Sequence, residues 1–538
     1  MRSHSRINPS LVLLNGKFWT VNKNQPRAQA VAVADNKIVF VGSSADAEFL
    51  IGAETEVINL NGKFGLPGLN DAHLHFADGS YSLVGVDLRD ARDEADFTAR
   101  IFEFSKKHPA GTWITEGNWD HELWPNQKHP TRDLIDAVTP NHPVFVSRID
   151  YHIALANSLA LKLAGITKDT PNPPGGEIVK NPTTGEPTGI LIDKACDLVF
   201  NTLPVEDAKR AEKTFRAGLN YAAHLGITSF QDNCTKRDFQ VYQSLLKKGE
   251  LTARVNAWFA IDMLEHFQKI GFYEDFGNDK LRIGVMKIYV DGSMGAGSAL
   301  FYEPYTDNPS TCGLVQNDQK QLNELVTQAD AAGLQIAAHA IGDKANEMIL
   351  NAFEFAFEKN GSRVRRHRVE HAQVVTSRDM ERYKFLNIIA SIQPSHCIDD
   401  MHWVKKRIGA ERSKISYRFG SFLRYGIPLA FGTDWPVESL NPLLGLYAAV
   451  TRESISGGPE GGWLPEEKMS LEQSIESYTL TAAYSEFAEQ KKGSIEVGKL
   501  ADLVILDKNL FEIPPREILK ARVLLTIMDG KIVFQKEV

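Results

Sequence analysis

The chain has 538 residues, of which 43% are hydrophobic and 24% are charged, and its formal net charge is −8. This composition is ordinary for a soluble globular protein. The acidic balance and the lack of a dense Lys/Arg run argue against a nucleic-acid-binding protein, and no stretch has the ~18 apolar residues of a membrane span.

The first part of the chain carries no recognisable secretory signal, because its apolar run Leu11–Leu14 is too short. The four cysteines, Cys196, Cys234, Cys312 and Cys397, lie far apart and form no CxxC pair. This spacing is typical of a reducing compartment rather than of a disulfide framework or a thiolate zinc site. We therefore expect a cytoplasmic protein.

The two ends of the sequence share one pattern of short β-rich runs joined by tight turns. LVLLNGKFWTVN and AVAVADNKIVFVG lie near the start, and ADLVILDKN and RVLLTIMDGKIVF lie at the end. Asn-Gly and Asp-Gly pairs between such runs indicate hairpins, because the turn needs positive φ. This pattern predicts one small β-sandwich built from residues 1–65 and 493–538. Two unrelated terminal hairpins remain an alternative.

Between the ends, strand-like and helix-like segments alternate. The strand candidates are FGLPGLNDAHLH, GITSFQDN, ARVNAWFAI, LRIGVMKIYVDGS, GLQIAAHAIGD, HRVEHAQVV, NIIASIQPSH and IPLAFGTDWPV. Eight apolar strands alternating with amphipathic helices indicate parallel βα units. The sequence therefore predicts an α/β fold, a (β/α)₈ TIM barrel over residues 66–76 and 206–492.

A long stretch interrupts the alternation after the first barrel strand. A βα loop usually has a few residues, whereas this segment carries its own strand and helix signals, PVFVSRID and ALANSLALKLAG. We interpret residues 77–205 as an insertion domain above the barrel mouth. It is either a lid that determines specificity or a decoration without such a role.

The first barrel strand ends in His73 and His75. Residues i and i+2 of a strand point to one face, so the two imidazoles can grip one ion, although HxH alone is a weak signal. The fourth strand places Lys287 among apolar residues, where an uncompensated ammonium is costly. From the strand alone, a salt bridge from Lys287 to Asp291 or Asp434 is the favoured interpretation. A neutral amine that takes up CO₂ to form a metal-binding carbamate is the alternative.

Three further strands end in ligand-type residues: His339 after the fifth, His371 after the sixth and Asp434 after the eighth. Taken singly, each is better explained as a core histidine or a helix cap. Taken together, they occupy the strand ends at which barrel enzymes build active sites. Several His and one Asp favour zinc over manganese, iron or nickel.

Other residues are candidates for contact with a substrate. Asp291 begins a Gly/Ser-rich loop, 291–298, that equally fits a tight βα turn. Gln393 and His396 end the seventh strand, at the same barrel mouth. From the insertion, the candidates that could line a lid are Trp119, Trp124, Arg148 and His152. For any single one of these, a core or surface role is the alternative.

With these motifs, the sequence resembles the amidohydrolase superfamily, in particular its YtcJ-like or amidohydrolase-3 branch. The matches run in order along essentially the whole chain, from LPGLNDAHLH through MKIYVDGSMGAGSA, AAHAIGDKAN, VEHAQ and SIQPSHC to FGTDWPVESLNP and KGSIEVGKLADLVIL. One local departure is Tyr151, where related sequences usually have Gly.

The resemblance implies a two-metal hydrolase. In that arrangement His73 and His75 bind one ion with Asp434, His339 and His371 bind the second, and a carbamylated Lys287 bridges the pair. A metal-activated hydroxide attacks the carbonyl carbon of a small-molecule amide, such as an N-substituted formamide or N-acyl compound. The C–N bond then breaks, and Asp434 carries the proton from the water to the leaving amine. A homo-oligomer is compatible with this expectation.

Three alternatives remain open. A cyclic amidase or a deaminase would use the same hydroxide. A serine hydrolase is suggested by Lys287 and the Ser-rich loop, but no Ser-Ser-Lys spacing supports it. A catalytically silent binding protein on the same fold would lack metal.

Overall fold

The structure is a computed structural model that describes residues 8–204, 208–272 and 276–536. Parts of the predicted boundaries lie outside these residues: the start of the sandwich segment at 1–7, its end at 537–538, and the junction between insertion and barrel at 205–206. Within the described residues, no helix has the length and hydropathy that a membrane crossing requires.

The N-terminal region is β-rich, as its alternating apolar runs predict. Its elements are β1 (Leu11–Leu14), β2 (Lys17–Trp19), β3 (Arg27–Ala28), β4 (Ala30–Ala34), β5 (Lys37–Gly42), α1 (Ser44–Glu48), β6 (Glu56–Asn59) and β7 (Phe64–Pro67). Strands β5, β4, β1 and β6 form a four-stranded sheet in that order. The first barrel strand, β8 (Leu69–Leu74), and the helix α2 (Phe76–Ser82) follow.

Next comes a segment with its own sheet and core. Its elements are β9 (Val86–Asp87), α3 (Glu94–Ser105), β10 (Ile114–Trp119), α4 (Asp133–Asp136), β11 (Val144–Arg148), β12 (Ile153–Ala156), α5 (Ser158–Leu163), β13 (Gly176–Lys180), β14 (Pro187–Asp193) and α6 (Asp197–Phe200). The six strands form one mixed sheet in the order β13-β14-β12-β11-β10-β9. Apolar side chains from both of its faces form cores that are separate from the barrel core.

The chain then alternates between strand and helix. The elements are α7 (Ala208–His224), β15 (Ile227–Asn233), α8 (Lys236–Lys248), β16 (Arg254–Ala260), α9 (Leu264–Ile270), β17 (Phe276–Gly277), β18 (Leu281–Tyr289), α10 (Gln319–Ala331), β19 (Gln335–Ala340), α11 (Asp343–Asn360), β20 (Arg368–His371), α12 (Ser377–Phe385), β21 (Ile389–Ile392), α13 (Pro394–Asp400), α14 (Val404–Ser413), α15 (Phe419–Tyr425), β22 (Leu429–Phe431), α16 (Pro442–Thr451), α17 (Leu471–Ser477) and α18 (Leu480–Tyr484). β17 is a short antiparallel addition to β18.

Eight parallel strands form a nearly closed barrel in the order β8-β15-β16-β18-β19-β20-β21-β22, which confirms the predicted (β/α)₈ fold. The first and eighth strands approach each other at the carboxyl end. There the Asp434 amide donates to the His73 carbonyl at 2.7 Å, and the Asp71 carboxylate accepts from Thr433. The core runs around the barrel, between its strands and the surrounding helices.

The C-terminal strands return to the start of the chain. They are β23 (Leu503–Leu506), β24 (Val523–Met528) and β25 (Lys531–Gln535), and they join a six-stranded sheet in the order β25-β24-β23-β7-β2-β3. β7 therefore belongs to this sheet, so the predicted strand FGLPGLNDAHLH is divided. The division falls at Gly68, where an added Cβ would lie 2.2 Å from Thr228.

Candidate active site

The candidate metal ligands meet at one end of the barrel. Parallel strands place their carboxyl ends on the same rim, and β8, β18, β19 and β20 carry His73, Lys287, His339 and His371 there. Asp434 lies just beyond β22. The register aligns Tyr289 with His339 and His339 with Glu370, so side chains from neighbouring strands lie at one level.

Asp434 lies at the centre of the first cluster. Its Oδ1 atom is 3.5 Å from His73 Nε2 and 3.3 Å from His75 Nε2, and one potential ligand atom from each of the three residues falls within 4.8 Å of the others. Oδ1 is buried and has no hydrogen-bond partner among the described residues. Although burial opposes ionisation, the nearby imidazoles of His73 and His75 hold the pKa of Asp434 well below its usual range.

A second cluster joins Asp434 to His371 and His396, again with ligand atoms within 4.8 Å of one another. His371 Nδ1 lies 2.9 Å from Gln393 Oε1, and His396 Nδ1 lies 3.3 Å from the Gln373 amide. His396 Nε2 is buried without a partner among the described residues. His396, expected to contact substrate, therefore lies among the candidate metal ligands.

His339 is close to this second cluster without belonging to it. Its ring centroid is 4.5 Å from that of His371, but its Nε2 lies 3.2 Å from the Gly292 carbonyl oxygen. The sequence predicted that His339 and His371 bind one ion together. In the structure their rings are neighbours, but His339 Nε2 is directed to Gly292. Only one of the two, His371, falls in a group of converging ligand atoms.

Lys287 is buried, at 1% exposure, and forms no salt bridge with a described residue. Its Nζ atom lies 3.1 Å from His73 Nε2, and burial lowers the pKa of the amine to about 8. The favoured interpretation from the strand alone was a salt bridge to Asp291 or Asp434, and that was wrong. Both carboxylates are engaged elsewhere, because Asp291 accepts backbone N–H groups and Asp434 faces the histidines.

A buried network of hydrogen bonds and an ion pair lies next to His73, and the sequence did not predict it. Glu370 accepts from His73 Nδ1 at 2.7 Å and pairs with Arg368. Arg368 also donates to the Ala72 carbonyl and to the side chains of Gln231 and Ser391. The segment RVEH carried a signal for this network, because it places two charged residues, Arg368 and Glu370, in a fully buried strand.

A cavity of about 1700 Å³ opens above these clusters. His75, Lys287, His339, His371 and Asp434 all face it. Such a volume exceeds the ~300–1,000 Å³ of a usual small-molecule pocket, so the cavity can admit a substrate together with water.

The segment between β8 and α7 supplies one wall of the cavity. Arg148 and His152, the candidates from this segment, line the cavity. Arg148 is held by Asp120 and Asp150 at 2.8 and 2.7 Å, and Asp150 in turn accepts from Ser293 of the barrel loop at 2.7 Å. Burial opposes protonation of His152, but the carboxylates of Asp193 and Asp150 raise its pKa to about 9.

Four residues predicted to contact substrate do not line the cavity. Trp119 and Trp124 are buried in the core of the inserted segment, where their indole N–H groups donate to the carbonyls of Val146 and Ala91. Both tryptophan rings pack into this apolar core, and they therefore do not reach the cavity. Asp291 is fully buried and binds the backbone of the next loop, and Gln393 orients His371.

A nearly closed parallel barrel with His and Asp side chains clustered on its carboxyl rim is the architecture of a metal-dependent hydrolase. The chain belongs to the Amidohydrolase family, whose model (Amidohydro_3) matches residues 56–534. Together, the family and the clusters support a divalent metal centre.

Curated relatives cover nearly the whole chain. Protein LONG AFTER FAR-RED 3 of Arabidopsis thaliana is 37% identical over 97% of this chain and 91% of its own length. YtcJ of Bacillus subtilis (strain 168), which carries an amidohydrolase name, is 32% identical over 97% and 98%. The N-substituted formamide deformylase of Arthrobacter pascens is 26% identical over 98% of both chains. These matches place the chain in the YtcJ-like branch.

A solved structure is similar over the same extent. The crystal structure of an uncharacterised metal-dependent hydrolase from Pyrococcus furiosus superposes with a TM-score of 0.73 at 29% identity, covering 93% of this chain and 99% of that chain. The fold of this chain therefore recurs in a hydrolase named for its metal dependence.

Proposed function

We propose that this protein hydrolyses the C–N bond of a small-molecule amide, such as an N-substituted formamide or N-acyl compound, at a binuclear metal centre. One observation carries the proposal: Asp434 Oδ1 is buried, has no hydrogen-bond partner among the described residues, and faces Nε2 of both His73 and His75. An anionic oxygen held between imidazole nitrogens is the donor set that zinc prefers.

The clusters support two ions. His73, His75 and Asp434 would hold the first. His371 would hold the second with His339, whose ring is adjacent, and His396 lies beside them as a further potential ligand. Lys287 would bridge them as a carbamate, which is supported by a buried amine that has no carboxylate partner and lies against His73. Bound cations would supply a Lewis acid that polarises the scissile carbonyl and acidifies water.

The chain's own residues perform the remaining tasks. Asp434 takes the proton of the attacking water on its carboxylate and delivers it to the leaving amine nitrogen. Glu370 holds the His73 ring with the proton on Nδ1. From the inserted segment, His152 contacts the substrate with its Nε2, which has no hydrogen-bond partner among the described residues, while Nδ1 is bound to Asp193.

The experiment combines elemental analysis of the purified full-length chain with a screen of formamides, N-acyl compounds, cyclic amides and aminated rings. We expect bound divalent metal and release of an amine together with a carboxylate. Ammonia as the released product would instead indicate a deaminase. Metal-free protein that stays inactive after metal addition would refute the proposal, as would chelator-insensitive activity lost in Ser293→Ala.

A further inference from the structure

Tyr151 has an unfavourable backbone conformation at the wall of the cavity. It lies in the turn between β11 and β12 with φ +59°, a region that disfavours residues with a Cβ. The turn is closed by the Tyr151 amide, which donates to the Arg148 carbonyl at 2.9 Å. A residue without a side chain would adopt this turn at lower cost, so a glycine at position 151 would relieve the backbone.

The ring of Tyr151 is fixed at both ends. The backbone turn holds its Cα, and the hydroxyl donates to Glu116 Oε2 at 3.1 Å across the sheet of the inserted segment. Glu116 also has a left-handed backbone, at φ +69°. The turn and the hydrogen bond to Glu116 together fix the position of the ring.

The ring lines the same cavity as the candidate metal centre. Tyr151 and Asp78 both line this cavity, their side chains interact electrostatically, and Asp78 Oδ2 is 3.9 Å from His75 Nδ1. The Tyr151 ring therefore belongs to the part of the cavity wall that includes Asp78. Other parts of the cavity wall combine charged side chains with the apolar residues Leu123, Phe200 and Ile455, which are about half exposed.

We propose that Tyr151 is a specificity-determining residue: its rigid ring closes the cavity on the side of Asp78 and His75, and limits the size of the group attached to the scissile amide. This inference rests on the proposed amide hydrolysis and specifies its substrate class as amides with a small group at this position. Removing the ring opens the cavity there and relieves the backbone at the same time.

The test measures binding rather than turnover, so that it remains informative if hydrolysis is not detected. Calorimetry or ligand-observed NMR on the full chain, supplemented with zinc, follows N-methylformamide, N-benzylformamide and N-(4-phenylbenzyl)formamide. In Tyr151→Gly we expect the two aryl compounds to bind roughly tenfold tighter or more relative to N-methylformamide. Tyr151→Phe keeps the ring and should retain the wild-type order.

Two variants control for folding. Asn387→Gly relieves another left-handed position, φ +52°, on the surface and away from the cavity, and should leave all three affinities unchanged. Tyr151→Asn supplies a small side chain that tolerates this backbone if the glycine variant is unstable. Unchanged relative affinities, weaker binding of the aryl compounds, or no detectable binding in either protein would overturn the proposal.

Discussion

Glu370 accepts a hydrogen bond from His73 Nδ1 at 2.7 Å, and both side chains are fully buried. The contact places the His73 proton on Nδ1 and leaves the Nε2 lone pair free for a ligand, with Lys287 Nζ at 3.1 Å and Asp434 Oδ1 at 3.5 Å. Although burial opposes ionisation, the charge of Arg368 and the hydrogen bond from His73 hold the pKa of Glu370 at about 2. The imidazole is therefore oriented before any ligand arrives.

Weakening this contact should weaken metal binding. In Glu370→Gln an amide replaces the carboxylate, so we expect metal affinity to fall roughly 10–100-fold, measured by competition with a chelator. Gln231→Ala is the matched control, because Gln231 also contacts Arg368 but not His73. The control should lose thermal stability without losing affinity. Equal affinities in Glu370→Gln and the wild type would show that Glu370 does not orient the ligand.

Asp434→Asn should separate metal binding from turnover. The amide cannot carry the proton from water to the leaving amine, so we expect the rate to fall about 10²–10⁴-fold in protein that is saturated with metal. Metal content measured on the same sample excludes simple loss of the ion. Asp262→Asn, at the cavity wall, should retain the wild-type rate. Near-normal turnover in metal-loaded Asp434→Asn would remove Asp434 from the proton transfer.

Two substitutions of Lys287 should behave differently. Lys287→Met replaces a buried amine that has no carboxylate partner with an apolar chain of similar length, so unfolding free energy should be unchanged or higher. Metal content should nevertheless fall. In Lys287→Ala, added formate or acetate should restore metal binding, because a small carboxylate can occupy the place of a carbamate. Full metal content in untreated Lys287→Ala would contradict the bridging role.

Asp330 should contribute to acid stability. Burial opposes its ionisation, yet hydrogen bonds from His367, Arg365 and Asn360 lower the pKa of Asp330 below its usual value. A lowered folded-state pKa gives stability that is present above the unfolded pKa of ~3.9 and is lost as pH falls below it.

Asp330→Asn should therefore lower unfolding free energy by about 3–5 kcal/mol at neutral pH, because it leaves the buried Arg365 guanidinium without its carboxylate. The loss should shrink toward pH 3. Urea titrations at several pH values measure this dependence. Asp279→Asn, which breaks a partly exposed contact to Lys491, should cost less than about 1 kcal/mol. A pH-independent difference for Asp330→Asn would contradict the assignment.

Several features could be predicted without coordinates because they depend on local patterns. Apolar strands alternating with amphipathic helices predicted the barrel, and the polar residue at each strand end indicated its rim. Trp119 was misjudged because sequence position does not reveal which apolar core a side chain enters. Glu370 was missed because its importance depends on a contact with His73, 297 residues away.

The sequence by itself determined which residue types end each strand, since the two-residue repeat of a strand sets the face on which a side chain lies. Only the tertiary structure decided that His396 lies among the candidate ligands with His371 and Asp434, that His339 is directed to Gly292, and that Lys287 has no carboxylate partner. These outcomes depend on distances between strands far apart in the chain, and such distances follow from barrel closure and packing rather than from any local repeat.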